Sequence, residues 1–68
     1  MIILNFNTKT HKLTFMNEGK SLTFDNISTI KKDGDIYEVF CKLEEGSPSV
    51  PFGKFPVNST IILYTHEA

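Results

Sequence analysis

The side chains with chemistry to offer are two histidines, one cysteine and eight carboxylates, and their spacing assembles none of them into a reactive group. His11 and His66 stand near opposite ends of the chain, outside the short Cys/His spacings that zinc sites use. Each reads as a solvated residue, one in a turn and one near the C-terminus. Cys41 is the only cysteine, so no disulfide can form within the chain. No His or Lys cluster points at it, and its place on the inward face of a β-prone run marks it as a small hydrophobe. No serine, threonine or cysteine has an assignable base. Asp33 and Asp35 bracket Gly34 as in a fragment of a calcium loop, but an EF-hand needs about 12 residues closed by a Glu, and nothing continues the pattern. Gly53–Pro56 (GKFP) lacks the strand–loop–helix setting of a phosphate-binding loop. The sequence nominates no catalytic residue, metal ligand or cofactor, and predicts a protein that is not an enzyme.

Binding is the class that remains, and the charge balance constrains the partner. Seven lysines oppose eight acids, and there is no arginine. Arginine supplies the planar fork that grips phosphates and base edges and stacks on aromatic rings, so its absence with a net charge of −1 disfavours nucleic acid as partner. The charges are also uneven. Residues 1–32 carry five lysines and two acids, residues 33–68 two lysines and six acids. Paired strands with complementary outer faces explain this simply; a head-to-tail subunit contact is the sharper alternative.

The elements that must hold any binding surface are strands. A domain of about 60 residues buries only roughly 60% of its unfolded surface, so its core is marginal and self-association is one way to supplement it. Met1–Phe6 alternates with Ile2, Leu4 and Phe6 on one face. Lys12–Met16 turns Leu13 and Phe15 inward, and Ser21–Phe24 turns Leu22 and Phe24 inward. Asn17-Glu18-Gly19 between them predicts a three-residue hairpin loop with Gly19 at the left-handed position. Asp25–Ser28 predicts a bend rather than a helical turn, because the β-branched residues that follow disfavour a short helix. Asp33-Gly34 predicts a type I′ hairpin. As the loop, that pair sets Lys32 opposite Asp35, Ile30 opposite Tyr37 and Ser28 opposite Val39, with Ile30, Tyr37, Val39, Cys41 and Leu43 facing a core. Ile36 and Phe40 then lie on the other face and need cover, from a loop or from another subunit. Ser59–His66 closes the chain as a strand apolar on both faces. Its Ile61–Leu63 repeats the tripeptide of Ile2–Leu4, which points to pairing of the termini mid-sheet or between two chains. The prediction is a single all-β domain over 1–68: a five- to six-stranded antiparallel sandwich or partly open barrel, rich in hairpins.

Glu44–Asn58 is read as one long loop, stiffened by Pro48, Pro51 and Pro56 and carrying apolar side chains; long loops in small domains are usually functional or disordered. The candidate binding residues are Val50, Phe52, Lys54 and Phe55 in this loop, with Ile36 and Phe40 from the hairpin's second face. Phe52 and Phe55 can equally plug one end of the core. The favoured function is a non-enzymatic interaction protein, such as a phage-encoded or accessory modulator acting on a host protein. A homo-oligomer that binds or sequesters a small anionic ligand, such as a nucleotide, with Lys54 meeting the ligand, is the first alternative. A single-stranded nucleic-acid binder using Phe52, Phe55 or Tyr37 with Lys9, Lys12, Lys31 and Lys32 is the second. No run approaches the roughly 18–20 apolar residues of a membrane helix, and the first residues lack a signal peptide's basic region, so a cytoplasmic protein with no membrane contact is expected. Richness in Lys, Asn, Ile and Phe suits an AT-rich source, such as a low-GC bacterium or one of its phages.

Overall fold

In the computed structural model, which describes residues 1–68, seven strands form two sheets and there is no α-helix. β1 (Ile2–Asn7), β2 (Lys12–Asn17) and β3 (Lys20–Phe24) make an antiparallel meander. The chain bends at Asp25 and Asn26 and makes a second meander of β4 (Ile27–Asp33), β5 (Ile36–Cys41) and β6 (Val50–Pro56). A single 3-10 turn at Val57–Ser59 leads into β7 (Thr60–Thr65), which returns to the first sheet beside β1. The sheets are therefore ordered β3-β2-β1-β7 and β4-β5-β6.

Strict alternation in β1 and β2 places Leu4, Phe6 and Leu13 against Ile27 and Val39 of the second sheet, and these five form the core. Four side chains are fully buried, Leu4, Leu13, Ile27 and Val39. At about 1.5–3 kcal/mol each, that is a thin core, and the half-buried Ile2, Phe15, Phe24, Ile30, Cys41, Phe55 and Ile62 thicken it.

Seven strands replace the expected five or six because much of Glu44–Asn58 is not loop. The connection is Lys42–Ser49, closed by Ser47, whose hydroxyl donates to the Glu44 carbonyl and accepts the Glu44 N–H. Val50–Pro56 is a strand despite its two prolines, since β6 is an edge strand, where a missing N–H costs no ladder bond. The Val57 N–H donates inward to the Asp35 carbonyl at 2.9 Å, so alternation turns the nitrogen of Pro56 toward the open edge. Pro51 sits beside a bulge at Phe52, the residue left over between the pairs Val39–Gly53 and Phe40–Pro51.

Both predicted hairpin turns exist with different chemistry. Asn17 pairs with Lys20, leaving the two-residue loop Glu18-Gly19 with φ of 51° and 79°. Two positive φ values are the mark of a type I′ turn, here tolerated by a glutamate. Asp33 pairs with Ile36, so the second loop is Gly34-Asp35 rather than Asp33-Gly34, and only Gly34 has positive φ, at 61°. That is the type II′ pattern, with glycine first. The register moves by two residues on β4, pairing Lys32 with Tyr37 and Ile30 with Val39, which keeps Ile30 on the inner face, and a bulge at Ser28 restores Ile27 to the core opposite Cys41. Leu22 and Leu43, expected inward, are exposed: Leu22 lies on edge strand β3 and Leu43 in the connection after β5.

The termini do pair, Ile3 with Ile61 and Leu4 with Ile62, but in parallel and at the sheet's edge. The expectations of a purely antiparallel fold and of a terminal strand buried on both faces are corrected together. β7 turns Thr60 and Ile62 inward and leaves Ile61, Leu63 and Tyr64 between 42% and 53% exposed.

Candidate functional site

The six residues singled out from the sequence fall on different surfaces. Phe55 opposes Tyr37 and packs its ring 5.8 Å from that of Phe15, inside the sandwich. Val50 is half-buried opposite Cys41, which itself packs against the core. Phe52, in the bulge, is 44% exposed and lies edge-on to Phe24 with centroids 5.0 Å apart, bridging from β6 to β3 across the open flank. Ile36, Phe40 and Lys54 share the outer face of the three-stranded sheet. There Lys31 opposes Glu38 and Glu38 opposes Lys54, while Pro51 opposes Phe40 and Pro56 opposes Ile36. The Lys31 ammonium stands 5.5 Å over the Phe40 ring, a cation–π contact. Ile36 and Phe40 thus obtain partial cover within the chain, from prolines and a lysine stem rather than from a loop.

The surface with least internal cover is the outer face of the four-stranded sheet. Register builds it in rows: Ile61, Ile3, Met16 and Ser21 form one, and Leu63, Asn5, Thr14 and Thr23 the next. None of these eight residues is charged. Thr14 and Thr23 hydroxyls hydrogen-bond each other at 3.2 Å, and beyond them the third row is charged, Lys12 pairing with Asp25 at 3.7 Å. Met1, 72% exposed, extends the face at its other end, beside a shallow groove of about 330 Å³ lined by Ile3 and Met16 together with the charged Glu18 and Lys20 of the β2–β3 turn.

β7 borders this face and has a free edge. The Thr65 carbonyl accepts from Thr8 N–H at 2.8 Å, so Thr65, Leu63 and Ile61 direct their backbone groups at β1. By alternation Ile62 and Tyr64 direct N–H and C=O outward. The inner side of this edge is closed by the Tyr64 ring, edge-on to Phe6 at 6.2 Å. Beyond β7, Asn7 Nδ2–H donates to the Glu67 carbonyl at 2.6 Å, and the Thr8 hydroxyl bonds His66 Nδ1, tying the tail to the β1–β2 turn.

His11 has a role the sequence did not signal. Its backbone is left-handed (φ 59°), its carbonyl accepts the Ile27 N–H at 2.9 Å, and its Nδ1–H donates to the Ile27 carbonyl at 3.1 Å. This reciprocal pair joins the first sheet to the strand that opens the second. Beside it lies a polar hollow of about 460 Å³ with Asn26, Lys42, Glu44 and Glu45 on its walls.

No protein-family model, curated protein or solved structure matches this chain. No helix is long and apolar enough to cross a membrane.

Proposed function

We propose that this chain is a non-enzymatic interaction module that binds protein through its four-stranded sheet, using the uncharged outer face and the open β7 edge. The observation that carries this reading is the exposure of Ile61, Leu63 and Tyr64 on a strand whose outward backbone groups have no partner. An open edge of that kind accepts another strand through main-chain hydrogen bonds, and flanking apolar side chains add affinity. The surface differs from the one read from the sequence, since Phe55 packs against the core and Val50 is half-buried opposite Cys41.

The charge layout supports protein over the alternatives. Lys54, the residue nominated for an anionic ligand, is opposite Glu38 in register, and a carboxylate beside it weighs against an anionic ligand there. Lys9, Lys12, Lys31 and Lys32 are dispersed: Lys9 lies in a turn, Lys12 faces Asp25, and the adjacent Lys31 and Lys32 point to opposite faces of β4. They do not line one groove along which a nucleic-acid backbone could run. We propose further that the protein acts in the cytoplasm as an accessory or phage-encoded modulator; the arginine-free composition rich in Lys, Asn, Ile and Phe supports the phage or low-GC source.

Photo-crosslinking tests the reading. A photoreactive residue in place of Ile61 is expected to form adducts with protein in extracts of the source cell, and one in place of Glu45 is not. Equal yields from both positions, or none from position 61, would overturn it.

A further inference from the structure

The sandwich has four strand edges, and three are guarded. β3 is short and opens with Lys20; β4 carries Lys31, Lys32 and Asp33; β6 carries Pro51, Lys54 and Pro56. Charges, prolines and shortness are how edges are kept from pairing. β7, with sequence TIILYT, has no charge, proline or glycine. Resting on the interaction reading above, we propose that the occupant of this edge is β7 of a second copy, antiparallel about a two-fold axis at Leu63, making one continuous eight-stranded sheet.

The register follows from which backbone groups are free. The backbone N–H and C=O groups of Ile62 and Tyr64 point away from β1, and in an antiparallel pair residues whose backbone groups point at each other are the hydrogen-bonded partners. Centring the axis on Leu63 sets Ile62 opposite Tyr64 of the second copy, and Tyr64 opposite its Ile62. All free N–H and C=O groups of both residues are then used. The Thr60 N–H is already given to the Val57 carbonyl and is not required. Leu63 meets its own copy at the close, non-hydrogen-bonded position, and Ile61 meets Thr65. Every pairing is between uncharged residues, so self-association brings no like charges together, and the net charge of −1 per chain adds little repulsion.

Surface area agrees with an uncovered face. A compact monomer of this mass exposes about 4,300 Å², whereas the isolated chain exposes 4792 Å². The excess, about a tenth, agrees with a surface that association would cover. Pairing β7 with itself also closes the assembly: both open edges are consumed, and only the guarded ones remain, so growth stops at two chains.

Sedimentation of the purified full chain at micromolar to sub-millimolar concentration is expected to give twice the 7.7 kDa chain mass. Leu63→Lys, which sets two ammonium groups face to face while leaving a half-exposed position to solvent, is expected to raise the dissociation constant about tenfold or more. In a Cys41→Ala background, Leu63→Cys is expected to oxidise to a covalent dimer, because residues at the close antiparallel position lie within disulfide reach. Ile61→Cys, offset by two residues from the axis, is expected to remain monomeric on a non-reducing gel. Open-ended assembly, or cross-linking at position 61 as fast as at 63, overturns the proposed pairing. A strictly monomeric chain also overturns it. If position-61 photoadducts with a different protein persist in that case, the interaction reading stands alone; if they are absent as well, both fail.

Discussion

Thr60 buries its hydroxyl without a hydrogen-bond partner, at the point where β7 enters the first sheet opposite Ile2. An unpartnered buried hydroxyl loses its hydration for no return, whereas an isosteric methyl does not. Thr60→Val is therefore expected to raise stability by about 1 kcal/mol, read as a higher urea midpoint at unchanged slope. His11 presents the opposite case. His11→Ala removes the Nδ1–H donor to the buried Ile27 carbonyl and forces alanine into a left-handed backbone, with an expected loss of about 2 kcal/mol. His11→Asn, which tolerates that backbone, is expected to lose less. Equal losses in the two variants would show that backbone conformation contributes nothing at this position. The two phenylalanines of β6 separate by packing in the same way. Phe55→Ala opens a void beside Phe15 and, at a partly buried position, is expected to cost about 3 kcal/mol, the low end for a phenylalanine truncation. Phe52→Ala loses an edge-on contact with Phe24 at a half-exposed position and is expected to cost about 1 kcal/mol.

Turns and bulges decide which side chains the strands present. Glu18 occupies a left-handed position in a type I′ turn, where asparagine or glycine is the natural occupant. Glu18→Asn is expected to stabilise by about 0.5–1 kcal/mol, visible as a higher melting temperature. The bulges at Ser28 and Phe52 lie on the two strands that flank β5, and each inserts one residue opposite the Val39–Cys41 stretch. Without the first, Ile27 would exchange faces with Ser28, because a one-residue slip inverts every side chain of a strand. Together they let the three-stranded sheet bend over a core smaller than its own face.

At the scale of the whole molecule, a thin core and an unguarded edge belong to the same problem. Six of 68 residues are buried, while seven large hydrophobic side chains are exposed, three of them on β7. If covering β7 is part of folding, stability is linked to concentration by mass action. The thermal midpoint of the wild-type chain is then expected to rise with protein concentration, and that of Leu63→Lys to stay constant. A wild-type midpoint independent of concentration would mean that the fold draws no stability from a second chain.

Local chemistry was enough to determine the strand positions of the first half, the inward faces of β1 and β2, the bend at Asp25 and the existence of both hairpins. Alternation and turn residues act between neighbours, so they are legible in a single chain. Three matters were not local. Whether Pro51 and Pro56 forbid a strand depends on whether that strand has a neighbour on its second side, and an edge position removes the objection. The hairpin register at Gly34 turned on a single positive φ, which Asp33-Gly34 and Gly34-Asp35 satisfy equally well on paper. And the face that a two-sided apolar strand such as TIILYT shows to solvent depends on the partner it finds. β1 reaches β7 only after the whole second sheet has been laid down, in a parallel pairing that no turn signal announces. The sequence determined that Ile61, Leu63 and Tyr64 are strand residues; only the tertiary structure decided that they border an open edge, because burial depends on which strands become neighbours.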